Sequence, residues 1–425
     1  MPWRWRLPVP RPGARKSECR PQEGTMPGRA RRKREDLTIG CLYPLTGRAA
    51  RYGHDSIVGA EMAADEVNAA GGVLGKELRL LFADDRSDPT YAVKVAQRYV
   101  VEDQVDFLMG VVSSAVALAV TQVSRHFRVV FVGTDHASAR LTLEAFQPYY
   151  FRVTNNTMQS MRAGAIYLSR RPWRRFYYMG PDYEYGHRQW LDFRQHLSRV
   201  LPDSHIVGAC WPKLYERDYR PFIRTVLAAR PDVLVHGFWG GDTIAFLEQA
   251  LDLGLFERVQ VMSFDAGGNY EVFEALGARV PPGLVLSARH HNNFPDTEAN
   301  RRFVQTFWSR ARRYPSYTAH GAYVGVHFIA RATERARSLD PEDIVRAGEG
   351  LKLPTPRDRD GFCSWIRPVD HQVAQEMYVG RTEPCDAFPP ARYLLGDWEV
   401  IPEDQLLPTE EEILRARAPD ATVGA

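Results

Sequence analysis

Short apolar runs alternate with amphipathic patterns along the first part of the chain. Leu37–Leu42 is a continuous apolar run with the length of a buried strand, and Leu78–Phe82 is a second one. Between them, apolar residues recur three or four positions apart, which predicts a helix with one buried face. The apolar face consists of Ile57, Ala60, Ala64 and Val67, and the polar face contains Glu61, Asp65 and Asn68. The order predicts a strand–helix–strand unit.

Glycine, proline and acidic residues mark the ends of these elements. The pair Gly71–Gly72 ends the first helix, since glycine readily adopts the backbone that closes a helix. Asp88 and Pro89 begin the next one, because an aspartate side chain caps free N–H groups and proline has no N–H to satisfy. The loop Pro44–Gly53 follows the first strand, where a parallel sheet presents its ligand-binding loops.

The same alternation continues over most of the chain. Strands followed by a loop and a helical pattern are also predicted at Val105–Met109, Val129–Val132, Arg175–Met179, His205–Cys210, Val233–His236 and Val259–Ser263. Strands that alternate with helices favour parallel sheets covered on both faces. With 425 residues the chain exceeds the roughly 250–300 residues that one core usually holds. We therefore predict an α/β protein with two doubly wound parallel-sheet lobes.

The net charge of +3 is unevenly distributed. Residues 1–36 hold 11 Lys/Arg and 4 Asp/Glu, contain several prolines and show no periodicity, so we predict a disordered basic segment. The remaining residues carry a small net negative charge, which argues against nucleic acid as a partner. From about Pro402 the chain is acidic, and we predict a tail there. The longest apolar runs fall short of the ~18 residues that a membrane helix needs.

Several short motifs of the first unit resemble one known family. The motifs are Pro44–Gly47, Tyr52–Gly53, Gly59–Glu61, Asn68–Gly72, Gly75–Lys76, Asp84–Asp85 and Asp88–Pro89. In this order and spacing they resemble the leucine/isoleucine/valine-binding proteins, the type I periplasmic solute-binding proteins of ABC transporters. The segments Tyr150–Thr154 and Tyr378–Gly380 resemble later parts of the same family, so the resemblance covers about residues 37–400.

The resemblance implies a two-lobed receptor with a ligand cleft between the lobes. The lobes are expected to be joined by a three-strand hinge, as in the type I periplasmic binding protein fold. The expected N-terminal lobe comprises residues 37–155 and 291–366, the C-terminal lobe 156–290 and 367–401, and the tail 402–425.

The resemblance also implies a function in amino-acid transport. We expect the cleft to bind a small amino acid of the branched-chain type or a related carboxylate, and an ABC permease to be the membrane partner. The receptor would be periplasmic, would not be an enzyme and would need no cofactor. A secreted receptor should carry an apolar stretch of about 7–15 residues after its basic region, and none follows Arg34. An intracellular sensor similar to the amide-binding regulators of amidase operons is therefore the alternative, and its ligand would be an amide.

Candidate ligand-binding residues of the first lobe lie in loops that follow strands. Ser113 and Ser114 open a predicted helix, whose unpaired N–H groups and dipole favour an anion such as a carboxylate. The resemblance places Ser114 on that carboxylate, although helix capping alone would also explain a serine there. Tyr52 resembles a tyrosine that helps to hold the ammonium group of the ligand.

Three candidates belong to the second lobe. Asp265 lies near the position of the acidic residue that pairs with the ligand ammonium in the resembling family, where a glutamate is usual. Tyr185 and Trp239 match aromatic positions, and each could cover the apolar part of a ligand or lie over its ammonium group. Packing at the rim of the cleft is the alternative for the aromatic residues, and a turn is the alternative for Asp265.

The loop over residues 133–138 departs from the family. Ala137 stands where the family offers a threonine hydroxyl to the ligand carboxylate, which weakens the case for an α-carboxylate. Asp135 and His136 bring polar groups that the branched-chain receptors lack, and we include both as candidate ligand contacts, although an ordinary loop histidine is the favoured interpretation of His136. This loop leaves open a ligand other than leucine, isoleucine or valine.

Motifs for catalysis and metal binding are weak. The segment Gly71–Lys76 has the glycines and lysine of a phosphate loop, but its spacing is short and Glu77 stands where Ser or Thr is required. The pair His290–His291 has no second group of metal ligands beside it in the sequence, so we predict no metal site. The five cysteines form no CxxC pair, and whether Cys363 and Cys385 pair is left open.

Overall fold

The structure is a computed structural model that describes residues 35–418. Its helices are α1 (Ala50–Ala69), α2 (Pro89–Val101), α3 (Ser114–Phe127), α4 (Thr157–Ser169), α5 (Glu184–Val200), α6 (Arg220–Ala229), α7 (Gly240–Asp252), α8 (Tyr270–Leu276), α9 (Glu298–Ala311), α10 (Tyr317–Ala336), α11 (Pro341–Gly348) and α12 (Glu410–Arg417). Its strands are β1 (Asp36–Tyr43), β2 (Glu77–Asp84), β3 (Phe107–Gly110), β4 (Phe131–Gly133), β5 (Tyr150–Arg152), β6 (Arg175–Met179), β7 (His205–Cys210), β8 (Val233–His236), β9 (Gln260–Ser263), β10 (Val285–Leu286), β11 (Trp365–Ile366), β12 (Val373–Ala374), β13 (Met377–Pro384) and β14 (Tyr393–Ile401).

The first lobe is built on a parallel five-stranded sheet of order β2-β1-β3-β4-β5. Successive side chains of β1 point to opposite faces, as the pleat requires. Ile39 and Cys41 pack with α1, α10 and α11, whereas Leu42 packs with α2 and α3. At the start of α2, the Asp88 side chain accepts a hydrogen bond from the N–H of Tyr91, which confirms the predicted cap.

The second lobe is built on a seven-stranded sheet of order β14-β13-β10-β9-β8-β6-β7. The strands from β6 to β10 pair in parallel, while β13 and β14 form an antiparallel hairpin at one edge. Phe176 and Tyr178 of β6 pack with α4 and α5, and Tyr177 and Met179 pack with α6, α7 and α8. Both sheets are therefore covered on their two faces, which confirms the predicted doubly wound α/β architecture.

The chain passes between the lobes three times, after β5, after β10 and after β12. The third passage lies later than the predicted bound between residues 366 and 367, because Val373 of β12 still packs in the core of the first lobe. Gln372 still forms a bridge with Arg152 of the first sheet, and His371 Nδ1 lies 3.1 Å from the carbonyl oxygen of Tyr150. These long-range contacts carry no periodic signal in the sequence. For the other boundaries between the lobes, we propose the residue numbers given in the sequence analysis.

The acidic segment after Pro402 is folded up to residue 418 and is not a tail there. Thr409 and Glu412 form a reciprocal capping box at the start of α12, and Ile413 is fully buried. Glu412 accepts hydrogen bonds from Arg162 (2.7 Å) and Arg199. Acidic residues stabilise a helix N-terminus, and Glu412 also pairs with two arginines of the second lobe. The acidic composition of this segment therefore belongs to a folded helix and not to a tail.

Two further expectations concern the ends of the chain and its cysteines. The basic segment predicted over residues 1–36 lies almost entirely outside the described residues, although Asp36 already belongs to β1. Cys41, Cys210, Cys363 and Cys385 are free thiols, so Cys363 and Cys385 do not pair. Among residues 35–418, no helix has both the length and the apolar character to cross a membrane.

Candidate ligand-binding cleft

A small cavity lies between the two sheets, at the carboxyl ends of their strands. Its lining residues come from both lobes and are Val112, Ser114, Ala137, Tyr183, Tyr185, Trp239, Arg289 and Tyr317. All but Tyr317 lie in loops or first helical turns after β3, β4, β6, β8 and β10, and Tyr317 begins α10. This is the edge at which open α/β sheets bind ligands.

Four helices begin at this cavity. The N-cap residues of α3, α5, α7 and α10 are Ser113, Tyr183, Trp239 and Ser316, and none of them forms a side-chain capping bond. The first N–H groups of a helix have no partner within it, and the helix dipole adds positive potential there. The cavity is therefore suited to an anion.

Arg289 is the one charged residue among the described residues that line the cavity. Its guanidinium forms a bidentate ion pair with Asp265, with Nη2 to Oδ2 at 2.7 Å and Nε to Oδ1 at 3.2 Å. Nη1 also donates to the carbonyl oxygen of Asp135. Both side chains of the pair are almost fully buried, at 4% and 1% exposure.

The carboxylate of Asp265 accepts further hydrogen bonds from neutral groups. Tyr185 Oη donates to Oδ2 at 2.6 Å, while Ser160 Oγ (2.8 Å) and Asn155 Nδ2 (3.0 Å) donate to Oδ1. Burial alone would raise the pKa of Asp265, but the Arg289 guanidinium and these donors hold it below its ordinary value. Burial opposes the charge of Arg289 as well, but the Asp265 carboxylate raises the pKa of the guanidinium.

Aromatic rings form the apolar walls of the cleft. The ring of Tyr52 lies 5.6 Å from that of Trp239 and 5.5 Å from that of Tyr317, measured between centroids. The Arg289 guanidinium lies over the Tyr317 ring at 4.8 Å and over the Tyr185 ring at 6.0 Å. Rings from both lobes thus surround the guanidinium and the cavity.

The predicted site residues separate into three groups in the structure. Ser114, Ala137, Tyr185 and Trp239 line the cavity. Tyr52, Asp265 and Ser113 border it: Tyr52 through its ring contacts, Asp265 through its bonds to Tyr185 and Arg289, and Ser113 as the N-cap of α3. The side chains of Asp135 and His136 do not line it.

Asp135 and His136 are buried in the first lobe, so the structure does not bring their side chains into the cavity. His136 Nδ1 lies 3.0 Å from the carbonyl oxygen of Val111, and Nε2 lies 2.7 Å from Tyr150 Oη. Asp135 accepts a hydrogen bond from Thr134 Oγ1 at 2.7 Å, and burial raises the pKa of Asp135 to about 8. Only the backbone oxygen of Asp135 contacts a cavity residue of the second lobe, Arg289.

Two hydroxyl groups of the predicted site are engaged within the protein. Ser114 Oγ accepts hydrogen bonds from the N–H groups of Ser138 (3.2 Å) and Ala137 (3.4 Å). The Tyr52 hydroxyl donates to Glu271, a buried residue of the second lobe. The Ser114 hydroxyl only accepts in these bonds, so its own O–H can still donate to a ligand in the cavity, whereas the Tyr52 hydroxyl already donates to Glu271.

Four cavity residues were not among the named candidates. Val112 and Tyr183 lie close in sequence to the candidates Ser113 and Tyr185, whereas Arg289 and Tyr317 lie far from any candidate. Arg289 lies next to the predicted boundary between residues 290 and 291, so a cation beside a predicted lobe boundary was the available signal. Tyr317 follows the N-cap Ser316 of α10, but α10 lies far along the chain from the other cleft loops. Its approach to them depends on the packing of α10 against α1.

Polar contacts hold the two lobes together around the cavity. Glu184 accepts hydrogen bonds from Ser138 Oγ (2.7 Å) and from Arg140 Nη1 (2.9 Å) of the first lobe. Arg188 pairs with Glu144 at 2.6 Å on the same side of the cleft. The cleft is therefore in a closed arrangement.

The residues that the structure describes contain no group of three or more His, Cys, Asp or Glu side chains that could hold a metal ion. The cavity and its surroundings supply hydrogen-bond donors, one guanidinium and aromatic surface. Together with two lobes and three crossings, these features define a two-lobed solute receptor.

Comparison with known proteins agrees with this class. The family model for periplasmic binding proteins matches residues 36–386, so the chain belongs to the periplasmic binding protein family and is a solute-binding receptor of the ABC-importer type. The chain is 25% identical over 330 residues to the leucine-, isoleucine-, valine-, threonine- and alanine-binding protein of Pseudomonas aeruginosa, covering 77% of this chain and 86% of that protein.

Solved structures share the fold. A periplasmic binding protein from Burkholderia mallei matches with a TM-score of 0.81 and 20% identity, over 91% of this chain and 99% of that chain. A solute-binding protein of an ABC transporter from Rhodopseudomonas palustris, in complex with 3,4-dihydroxybenzoic acid, matches with a TM-score of 0.78 and 20% identity, over 86% of this chain and 98% of that chain.

Proposed function

We propose that this receptor captures a small carboxylate in the cavity between its lobes and delivers it to an ABC permease. The observation that carries the proposal is a buried cavity at which four helix N-termini and the guanidinium of Arg289 converge. Helix N-termini and arginine are the groups with which proteins bind carboxylates. Aromatic walls would cover the apolar body of the ligand.

The remaining parts of the proposal follow from the family. We place the protein in the periplasm, with the permease as its membrane partner, and assign it no covalent chemistry. Ligands named for relatives include branched-chain amino acids for the Pseudomonas aeruginosa protein and 3,4-dihydroxybenzoic acid for the Rhodopseudomonas palustris structure. Both are small carboxylates, in keeping with the charge of this cleft.

Thermal unfolding of the full-length protein with and without candidate solutes tests binding. The screen would contain amino acids, amine-free carboxylates, amides and neutral sugars. A ligand at 100 times its Kd should stabilise the protein by about 2.7 kcal/mol, which is a clear rise in Tm. We expect rises with carboxylates alone. A rise only with amides or sugars would overturn the proposal.

A pair of tryptophan variants places the ligand in the cleft. Trp239→Ala removes an aromatic wall of the cavity and should weaken binding of the carboxylate found in the screen by about tenfold or more, since a buried aromatic contact is lost. Trp308→Ala, on an exposed face of α9, is the matched control and should leave the Kd unchanged. Equal effects of the two variants would place the ligand elsewhere.

Cell fractionation and uptake distinguish the importer from an intracellular sensor. We expect the protein in the periplasmic fraction, and we expect cells that lack its gene to lose uptake of the radiolabelled carboxylate. Restoration of uptake by the intact gene, but not by the Trp239→Ala gene at low solute concentration, would connect transport to the cleft. A wholly cytoplasmic pool with unchanged uptake would contradict the importer.

A further inference from the structure

We infer that the Arg289–Asp265 pair takes the place of a ligand ammonium group, so that the cleft selects carboxylates with an apolar body and no amino group. This inference rests on the proposed function and names the chemical class of its ligand. It concerns the one residue, Asp265, that the family resemblance assigned to the ammonium of an amino acid. Its environment in the structure argues against that role.

The acceptor capacity of Asp265 is already used by the protein. A carboxylate offers about four lone-pair positions. Asp265 accepts five hydrogen bonds: two from Arg289 and one each from Tyr185, Ser160 and Asn155. An ammonium group could bind there only by displacing Arg289, which would leave a guanidinium buried and without its partner.

The aromatic surface that could hold a ligand cation is also occupied. Aromatic rings attract cations within about 6 Å of the ring centre. The guanidinium of Arg289 already lies over the ring of Tyr317 at 4.8 Å and over that of Tyr185 at 6.0 Å. The rings of Tyr317 and Tyr185 therefore already contact a cation of the protein itself, Arg289.

Two other buried acids near the cleft, Glu271 and Asp135, each keep one carboxylate oxygen without a hydrogen-bond partner within residues 35–418, but their positions do not suit a ligand ammonium. Glu271 accepts a hydrogen bond from Tyr52, and Asp135 accepts one from Thr134. Neither acid lines the cavity. Burial also raises the pKa of both carboxyl groups, to about 8 for Asp135, so Asp135 loses part of its negative charge near neutral pH.

Arg289 still has donors for a ligand carboxylate. A guanidinium carries five N–H groups. Asp265 takes two of them and the backbone oxygen of Asp135 takes one, which leaves two for a group in the cavity. The pair therefore presents hydrogen-bond donors and no acceptor to the ligand, and the N-terminus of α3 adds further donors.

Isothermal titration calorimetry with matched pairs of ligands tests the inference on the full-length protein. Each pair has the same apolar body with and without the amino group: 4-methylpentanoate with leucine, and 3-phenylpropionate with phenylalanine. Benzoate is added as a flat carboxylate. We expect the amine-free member of at least one pair to bind about 30-fold or more tightly than its amino acid, because burying an unpaired charge costs at least that factor.

Variants of the pair test the assignment to these two residues. Arg289→Lys keeps a cation beside Asp265 but loses the bidentate geometry, and it should weaken binding of the preferred carboxylate about tenfold without favouring the amino acid. The double change Arg289→Met with Asp265→Asn removes both charges. It should lose the preference between the members of each pair, and its Tm without ligand reports whether it has folded. Arg392→Met, at an exposed arginine of the second lobe, is the control.

The outcomes separate this inference from the proposed function. If no pair showed this preference and an amino acid bound as tightly as its amine-free partner, the inference would be overturned and the carboxylate receptor would remain intact. An unchanged preference in the folded double variant would likewise overturn it. Binding of no carboxylate in any pair, or in the wider screen, would overturn the proposed function and the inference with it.

Discussion

At the scale of single residues, the Arg289–Asp265 pair decides what the cleft can recognise. The pair is almost fully buried, and removing one partner of such a pair typically costs about 3–5 kcal/mol because the other charge is left unpaired. Asp265, the backbone oxygen of Asp135 and the ring of Tyr317 together orient the guanidinium. Donors that are held in place before binding lose little entropy when a ligand arrives.

The hydroxyl group of Tyr185 offers a test of how strongly this carboxylate is held. Tyr185→Phe removes the 2.6 Å hydrogen bond to Asp265 and leaves the ring in place. A hydrogen bond to a charged group contributes about 1.5–3 kcal/mol, so we expect a loss of stability of about that size in urea unfolding. Tyr183→Phe is the control, because its hydroxyl accepts a bond from the neutral indole of Trp239 at 3.0 Å, and it should cost about 1 kcal/mol. Equal losses would contradict a charged Asp265.

At the scale of elements, the helices of the cleft differ in how they begin. Helices α2, α4, α9, α11 and α12 are capped by the side chains of Asp88, Asn156, Thr297, Asp340 and Thr409. The four helices that begin at the cavity have no such cap, and neither do α1 and α6. A side-chain cap contributes about 1 kcal/mol, and these helices lack that stabilisation. The first N–H of α10, that of Tyr317, donates to Asn269 Oδ1 at 3.2 Å, so α10 offers a ligand fewer free donors than an open helix N-terminus would.

Strand β8 ends in a buried histidine that makes the fold sensitive to acid. His236 is fully buried, and neither ring nitrogen has a hydrogen-bond partner within residues 35–418. Burial lowers the pKa of His236 to about 3. The unfolded chain takes up a proton below an ordinary pKa of about 6.5, while the folded state does not, so stability falls as the pH falls from about 6.5 to about 3.

Replacing this side chain should reduce that sensitivity. For His236→Leu we expect the loss of unfolding free energy between pH 8 and pH 5 to be smaller than in the wild type by about 2 kcal/mol. Urea unfolding at the two pH values measures it. His205→Leu, at an exposed position that begins β7, should behave like the wild type. An unchanged pH dependence in His236→Leu would show that the ring is not held neutral.

At the scale of the whole molecule, the lobes are joined by the buried bonds of Arg289 to Asp135 and of Tyr52 to Glu271, and by weaker polar contacts at the edge of the cleft. Glu184 of the second lobe receives hydrogen bonds from Ser138 and Arg140 of the first. Partly exposed ion pairs contribute about 0–1 kcal/mol each and are screened by salt. Such weak contacts suit a receptor that must open again to release its ligand.

Removing one of these contacts should shift the balance between open and closed forms. Glu184→Ala should weaken binding of the carboxylate about threefold to tenfold and increase the radius of gyration of the ligand-free protein in X-ray scattering. Glu248→Ala is the control, since its ion pair with Arg279 lies within the second lobe. Equal binding and scattering in the two variants would argue that Glu184 does not contribute to closure.

Much of the molecule follows from local sequence patterns. The alternation of strands and helices, and the cap formed by Asp88 and Pro89, depend on residues a few positions apart, and the structure agrees with both. Family motifs directed attention to Ser114 and Trp239, and the structure places both at the cavity. The crossing after β12 and the packing of the segment after Pro402 depend on contacts between distant residues, and both differ from the prediction.

The charge of the cleft was decided by the tertiary structure. The order of strands and helices along the chain predicted two lobes and the loops that follow their strands. This was possible because hydrophobic periodicity and turn residues act over a few neighbouring positions. It could not show that Asp265 is paired with Arg289, 24 positions away, or that Asp135 and His136 turn into the first lobe. Which charges pair depends on burial and on distances of a few ångströms, and these exist only after the lobes have packed together.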